Sequence, residues 1–194
     1  MEYPLELSFK IMAMSPQIRV TDAGGNLLFY VKQKPFKLKE AITVFADESM
    51  TQPLFNIKAD RVLDFSARYH FSTTGGVPLG SVKREGIKSI WKSHYDIFKG
   101  KAHVMSIREQ DPWVKVLDGL FMAIPVVGLF AGLVFNPTFA VSRPDGTVVM
   151  RLSKQSDLFG SKFAISKQAA LDEEQELRAL LSMIMMTLLE RSRG

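Results

Sequence analysis

LRALLSMIMMTLLE, residues 177–190, is the stretch whose reading decides the fold. It follows Asp172, a residue suited to cap a helix, and a first turn carrying Glu173, Glu174 and Glu176. Arg191 and Arg193 stand at its far end. Acids leading and bases trailing match the helix dipole, so a helix is expected over about 172–192. A surface helix would show an apolar stripe. Here Leu180, Leu181, Met183, Ile184, Met185, Met186, Leu188 and Leu189 point in every direction around the axis. A helix that is apolar all round has to be surrounded, by protein or by lipid. From Leu177 to Leu189 it spans about 20 Å at 1.5 Å per residue, short of the roughly 30 Å bilayer core. Protein is the better surrounding. With Leu177, these large side chains yield roughly 15–25 kcal/mol of gross burial before chain entropy is set against it.

The chain before the helix reads as strands. Ile18–Val20, a TDAGGN turn and LLFYVK form a hairpin with glycine at the turn. Ala41–Ala46 and Pro53–Ala59 flank DESMTQ; Ala67–Ser72 and Leu79–Arg84 flank TTGGVP. Ser89–Phe98 and Ala102–Arg108 flank Lys99-Gly100, Thr138–Ser142 and Thr147–Leu152 flank Arg143–Gly146, and Phe163–Ser166 leads to the helix. VTDAGGNLLFYV from Val20 and VSRPDGTVVMRL from Val141 share a spacing, which suggests two similar halves or two similar hairpins. Eight strands close into a barrel filled by its own side chains, whereas a helix needs a channel 10–12 Å wide. The expected fold is therefore a closed antiparallel β-barrel of about 12 strands around a central hydrophobic C-terminal helix. One domain over 1–194 is expected, with strands in about 1–170.

Composition narrows the function classes. The 194 residues include no cysteine, which excludes disulfides, thiolate metal sites and a cysteine nucleophile. Glu2, Glu6 and Lys10 interrupt any secretory apolar core near the start, so a cytoplasmic protein is expected, with a peripheral position on the inner membrane face as a variant. Gly119–Ser142 is 24 residues without a formal charge, but Pro125, Asn136-Pro137 and three glycines interrupt it. A buried core segment is expected there, with membrane contact as the alternative.

Catalytic patterns are absent. His70, His94 and His103 make no H-x-x-x-H pair and read as ordinary strand residues, so neither a metal nor another cofactor is implied. Gly75–Gly80 lacks the lysine-serine pair of a phosphate cradle, and there is no G-x-S-x-G elbow. No catalytic residue is assigned. The basic residues remain. Lys83, Arg84, Lys88, Lys92, Lys99 and Lys101 fall within nineteen residues, interleaved with Trp91 and Tyr95; Lys32, Lys34, Lys37 and Lys39 form a second group. The first group is the expected lipid or anion-binding site, against the plain alternative of a solvated exterior with lysines guarding strands. At about 1 kcal/mol per basic residue near an anionic leaflet, a net four charges gives ~4 kcal/mol, or binding of order millimolar.

GIKSIWKSHYDIF (Gly86–Phe98), IPVVGLFAGLVFNPTF (Ile124–Phe139), PDGTVVMRLSKQ (Pro144–Gln155) and the ending LLSMIMMTLLERSRG resemble a known superfamily over nearly the whole chain. It includes the LURP-one-related proteins, the tubby C-terminal domains and the phospholipid scramblases. The resemblance implies a twelve-stranded barrel around a central helix. It also implies a non-enzymatic module that binds lipid head groups, phosphoinositides among them, or the surface of an anionic phospholipid membrane. The chain departs from scramblases in lacking their cysteine cluster and any D-x-[DN]-x-[DN]-G calcium loop. Tubby's head-group lysine and arginine match no particular positions here. The alternative is a structural or protein-interaction barrel. Nucleic acid is the less favoured reading of a basic surface: the net charge of +5 allows it and Trp91 or Tyr95 could stack a base, but no recognition-helix or RNP-like pattern accompanies them.

Overall fold

The computed structural model describes residues 1–10, 16–32, 41–61, 67–85, 93–110, 138–155 and 162–191. Twelve strands form one closed antiparallel barrel. In chain order they are β1 (Leu5–Lys10), β2 (Gln17–Thr21), β3 (Leu27–Lys32), β4 (Ile42–Phe45), β5 (Pro53–Ala59) and β6 (Arg68–Thr73). There follow β7 (Pro78–Arg84), β8 (His94–Lys99), β9 (Ala102–Gln110), β10 (Thr138–Ser142), β11 (Val148–Lys154) and β12 (Lys162–Lys167). Each strand pairs with its neighbours in sequence, and β1 closes the ring on β12 through Leu5↔Ile165 and Leu7↔Phe163. The helix α1 (Glu173–Arg191) runs through the middle.

Alternation decides what each strand faces. Leu5, Leu7, Val20, Ile57, Phe71, Val82, Ile97, Ile107 and Leu152 are buried inward at every second position, as the period of a strand requires. They meet Leu180, Leu181, Met183, Ile184, Met185, Met186 and Leu188 of α1, all essentially sealed from solvent. Three methionines, Met183, Met185 and Met186, suit this site, because their unbranched side chains adapt to a cylindrical wall that no single ridge pattern fits. The polar members of the helix satisfy themselves. Ser182 Oγ donates to the Arg178 carbonyl at 2.8 Å and Thr187 Oγ1 to that of Met183.

The barrel has two distinct ends. At the end where α1 begins lie five hairpin connections: β2–β3, β4–β5, β6–β7, β8–β9 and β10–β11. Each of these hairpins carries a register shift next to its turn, at Val20/Thr21, Val44/Phe45, Phe71/Ser72, Ile97/Phe98 and Val141/Ser142. Bulges at a rim raise the local twist and help a sheet curl shut. Three of the turns are alike. Gly25, Gly76 and Gly146 hold φ of 80°, 85° and 88°, and each donates its N–H to the carbonyl three residues back. The similarity between the stretches at Val20 and Val141 is thus one hairpin form used three times, every fourth strand, rather than a sign of two halves.

The helix lies nearest to β7, β8 and β6. Gly80 on β7 allows this. A Cβ built there would stand 2.6 Å from Arg178 Nε and 2.6 Å from the Phe98 carbonyl oxygen, and its φ of +142° suits glycine alone. The neighbouring Leu79 carbonyl accepts a 2.7 Å hydrogen bond from Arg178 Nε. Two further clasps fix the start of the helix. Asp172 Oδ1 caps it by accepting the Gln175 N–H at 2.8 Å. Glu176 accepts from Lys167 Nζ and from the Tyr3 hydroxyl, each at 2.7 Å. Burial works to raise the Glu176 carboxyl, but these two partners outweigh it and hold it below the usual carboxylate range.

Gly80→Ala should cost about 3 kcal/mol or more and lower the melting temperature by roughly 6–12 °C. Gly76→Ala, with open space around its Cβ, should cost only about 1 kcal/mol. Equal losses in calorimetry would show that the close approach at Gly80 does not matter.

Candidate functional site

The basic residues expected as one site are divided by the barrel. Lys88, Lys92 and Trp91 lie outside the described residues, as do Lys34, Lys37 and Lys39. Lys99 and Lys101 sit at the β8–β9 turn, at the end where α1 begins. Lys99 Nζ is held 2.9 Å from Glu174. Lys83 and Arg84 stand on β7 toward the other end, on opposite faces. Arg84 follows the inward phase of Val82 and is 6% exposed. Its Nε lies 3.9 Å from Glu190, and its guanidinium stands over the Tyr95 ring at 5.9 Å. Tyr95 donates its hydroxyl to the same Glu190 at 2.5 Å. Burial, with Glu190 beside it, pushes this phenol above its ordinary range, so it stays a neutral donor. Arg84 is a clasp for the last turn of α1, and a strand period counted from Val82 would have placed it inside.

Lys83 faces outward and has other company. The outer wall of β5–β9 presents Lys58, Arg68, Lys83 and Arg108 at outward strand positions, with Asp96 among them and with Asp60 and Glu85 continuing the same ladders opposite Arg68 and His94. Register brings Arg68 beside Lys83, Lys83 beside Asp96, Lys58 beside His70 and Arg108 beside His94. Four cations stand against three carboxylates, Asp60, Glu85 and Asp96, which leaves +1 on this wall. Among the described residues Lys58, Lys83 and Arg108 make no ion pair. On the opposite wall Glu6 pairs with Lys162 at 3.3 Å and Arg19 with Glu48 at 3.0 Å, while Lys10, Lys32 and Arg151 stand at outward positions and make no ion pair among the described residues.

All three histidines lie on this same wall. His94 Nε2 and His103 Nε2 each stand 3.3 Å from Asp96 Oδ1, and Ser106 Oγ donates to that oxygen at 3.1 Å. His103 also meets Ser106 Oγ at 3.0 Å. Reading them as separate strand residues missed this convergence, which needs the β8–β9 register and its bulge. Among the described residues no group of three His, Asp or Glu is arranged to hold a metal. Ser106 is buried and bonded directly to the carboxylate, and His103 meets both of them through the same Nε2, whereas the relay of a serine nucleophile needs one ring nitrogen on the hydroxyl and the other on the carboxylate. Phe98 stands between Arg68, whose guanidinium lies 4.1 Å above its ring, and the edge of His103.

Each end of the barrel opens on a cavity. The one at the start of α1 measures about 330 Å³, with Lys99, His103, Arg143, Glu174 and Arg178 in its lining. The one at the end of α1 measures about 350 Å³ and combines Phe139, Leu152, Phe163 and Met186 with Lys154 and Arg191. The apolar stretch Gly119–Ser142 divides: 138–142 form β10, and the remainder lies outside the described residues. Among the described residues no helix is long and apolar enough to cross a membrane.

Arg84→Met should lower stability in urea by about 1–3 kcal/mol, since it strips Glu190 of a cation, and should leave the charge of the outer wall untouched. A variant as stable as the parent would show that Arg84 does not clasp the helix.

A family model described as LURP-one-related matches residues 27–173, from the start of β3 to the first residue of α1. No curated protein and no solved structure matches the chain. The match covers most of the chain and coincides with ten strands of the barrel, and on that ground the chain belongs to the LURP-one-related family.

Proposed function

We propose that this protein is a non-enzymatic module that docks on anionic membrane surfaces through the outer wall of β5–β9. The single observation that carries the reading is a group of three outward cations on that wall, Lys58, Lys83 and Arg108, that make no ion pair among the described residues. With Arg68 they stand on one side of a rigid barrel. Resemblance to the tubby-like and scramblase-like proteins lends support by analogy of fold. A net +1 near an anionic leaflet is worth about 1 kcal/mol, so the wall alone gives weak, reversible and salt-sensitive contact. Arg68 stacked on Phe98 adds an amphipathic element suited to the headgroup layer. Binding of this kind recruits the protein to charged lipid without anchoring it there.

Co-sedimentation with phosphatidylcholine vesicles, with and without phosphatidylserine, tests the reading across a salt series. The intact chain should sediment only with the anionic vesicles and should be released as salt rises. Reversing Lys58, Lys83 and Arg108 together to glutamate should abolish the interaction with the fold intact by circular dichroism. Equal sedimentation of that variant, or salt-resistant binding to neutral vesicles, would count against the wall.

A further inference from the structure

We propose that the cavity at the start of α1 is a binding site for a phosphomonoester-type anion. The argument starts from Arg178, which is 2% exposed and enclosed within the barrel. A guanidinium in that position needs its donors satisfied. Nε is taken by the Leu79 carbonyl at 2.7 Å and Nη2 by Glu174 at 2.5 Å. Nη1 has no protein partner among the described residues, yet it is not sealed off, and the side chain lines the 330 Å³ cavity. A fork held rigid on two sides with its remaining N–H groups toward an open space is pre-organised for an oxyanion.

Three other groups converge on the same space. Arg143, in the β10–β11 turn, is tethered by Nη2 to the Ala170 carbonyl at 2.7 Å and lines the cavity. Lys99 and His103 come from the β8–β9 hairpin. The two acids present are already engaged. Asp172 caps the helix, and Glu174 is shared between Lys99 and Arg178. The Lys99 hydrogen bond foremost, with both cations beside it, holds the Glu174 carboxyl below its ordinary range. Lys99, Arg143 and Arg178 against Asp172 and Glu174 leave one positive charge in excess. The helix N-terminus adds a partial charge of about +0.5. A volume of 330 Å³ corresponds to roughly eleven waters of liquid, room for a phosphate with a small alcohol attached. Met105 and Pro144 offer an apolar side for that alcohol.

The site is separate from the outer wall, so either can fail alone. Isothermal titration of the intact chain with inorganic phosphate and with glycerol 3-phosphate tests it directly. Saturable binding is expected. It should weaken about tenfold or more in Arg143→Gln and in Arg178→Lys, which keeps the charge but loses the fork. Lys58→Glu on the wall should leave it unchanged. Vesicles carrying phosphatidic acid, compared with phosphatidylserine, identify the source: preference for phosphatidic acid points to a lipid headgroup, and binding of the soluble probes alone points to a free phosphate ester. Should Arg178→Lys fail to fold, Arg143→Gln carries the test. No saturable binding by the folded parent at millimolar phosphate, or binding that Arg143→Gln leaves intact, would overturn the proposal.

Discussion

A helix that is apolar on every side can exist in water only if something encloses it, and most of this structure follows from that enclosure. The wall must be wide enough for a cylinder of 10–12 Å, which eight strands cannot provide and twelve do. It must also close, and β1 closes it by pairing with β12. The bulges gathered at one rim give the sheet the extra twist that closure needs. Finally the helix has to be held along its axis, since a greasy cylinder in a greasy tube has little to stop it sliding. Polar contacts at its two ends supply this: Glu174 and Glu176 at the start, Arg178 on Leu79 one turn in, and Glu190 with Tyr95 and Arg84 at the end. The Glu190 clasp is two-sided, with a neutral tyrosine and a cation on one carboxylate.

Much of this was legible in the sequence because it rests on periodicity and length. The helix was visible from its composition, and the need for a wide barrel followed from it. Eleven strands could be read from alternation and turns, several to within one residue. The missing one was β1. Leu5, Leu7 and Phe9 alternate with Glu6, Ser8 and Lys10, so the signal was present, although the stretch lends itself equally to being weighed as a targeting segment. Side-chain direction was read less well. Arg84 was grouped with Lys83 because they are adjacent, when adjacency in a strand means opposite faces. Arg178 sits inside the stretch that marks the core helix, and its charge went unused because the leucines around it dominate the pattern.

The candidate sites were harder to see for a different reason. A wall assembled from β5 to β9 draws Lys58, Arg68, Lys83 and Arg108 from fifty-one residues of chain, and only the register of the barrel shows that they are neighbours. The same holds for the meeting of His94 and His103 at Asp96, which depends on a bulge. The phosphate cavity depends on three separate elements: a hairpin turn from β10–β11, another from β8–β9, and the first turns of the helix. Clusters of charge along a chain are thus a poor guide to clusters in space when the strands alternate. In this barrel the wall carries dispersed cations that make no ion pair among the described residues, while the cavity offers fixed, directional donors. The first favours contact with a surface, the second a discrete anion.

The central claim is that the helix is the core on which the barrel closes. Removing it is the most direct test: a chain ending at Leu171 keeps all twelve strands and lacks only α1. Near-ultraviolet circular dichroism and urea titration of that chain, beside the full-length protein, give the answer. The account predicts loss of the near-ultraviolet signal and no cooperative transition, because the inward residues would line an empty channel. A soluble monomer that melts cooperatively with a native near-ultraviolet spectrum would contradict it.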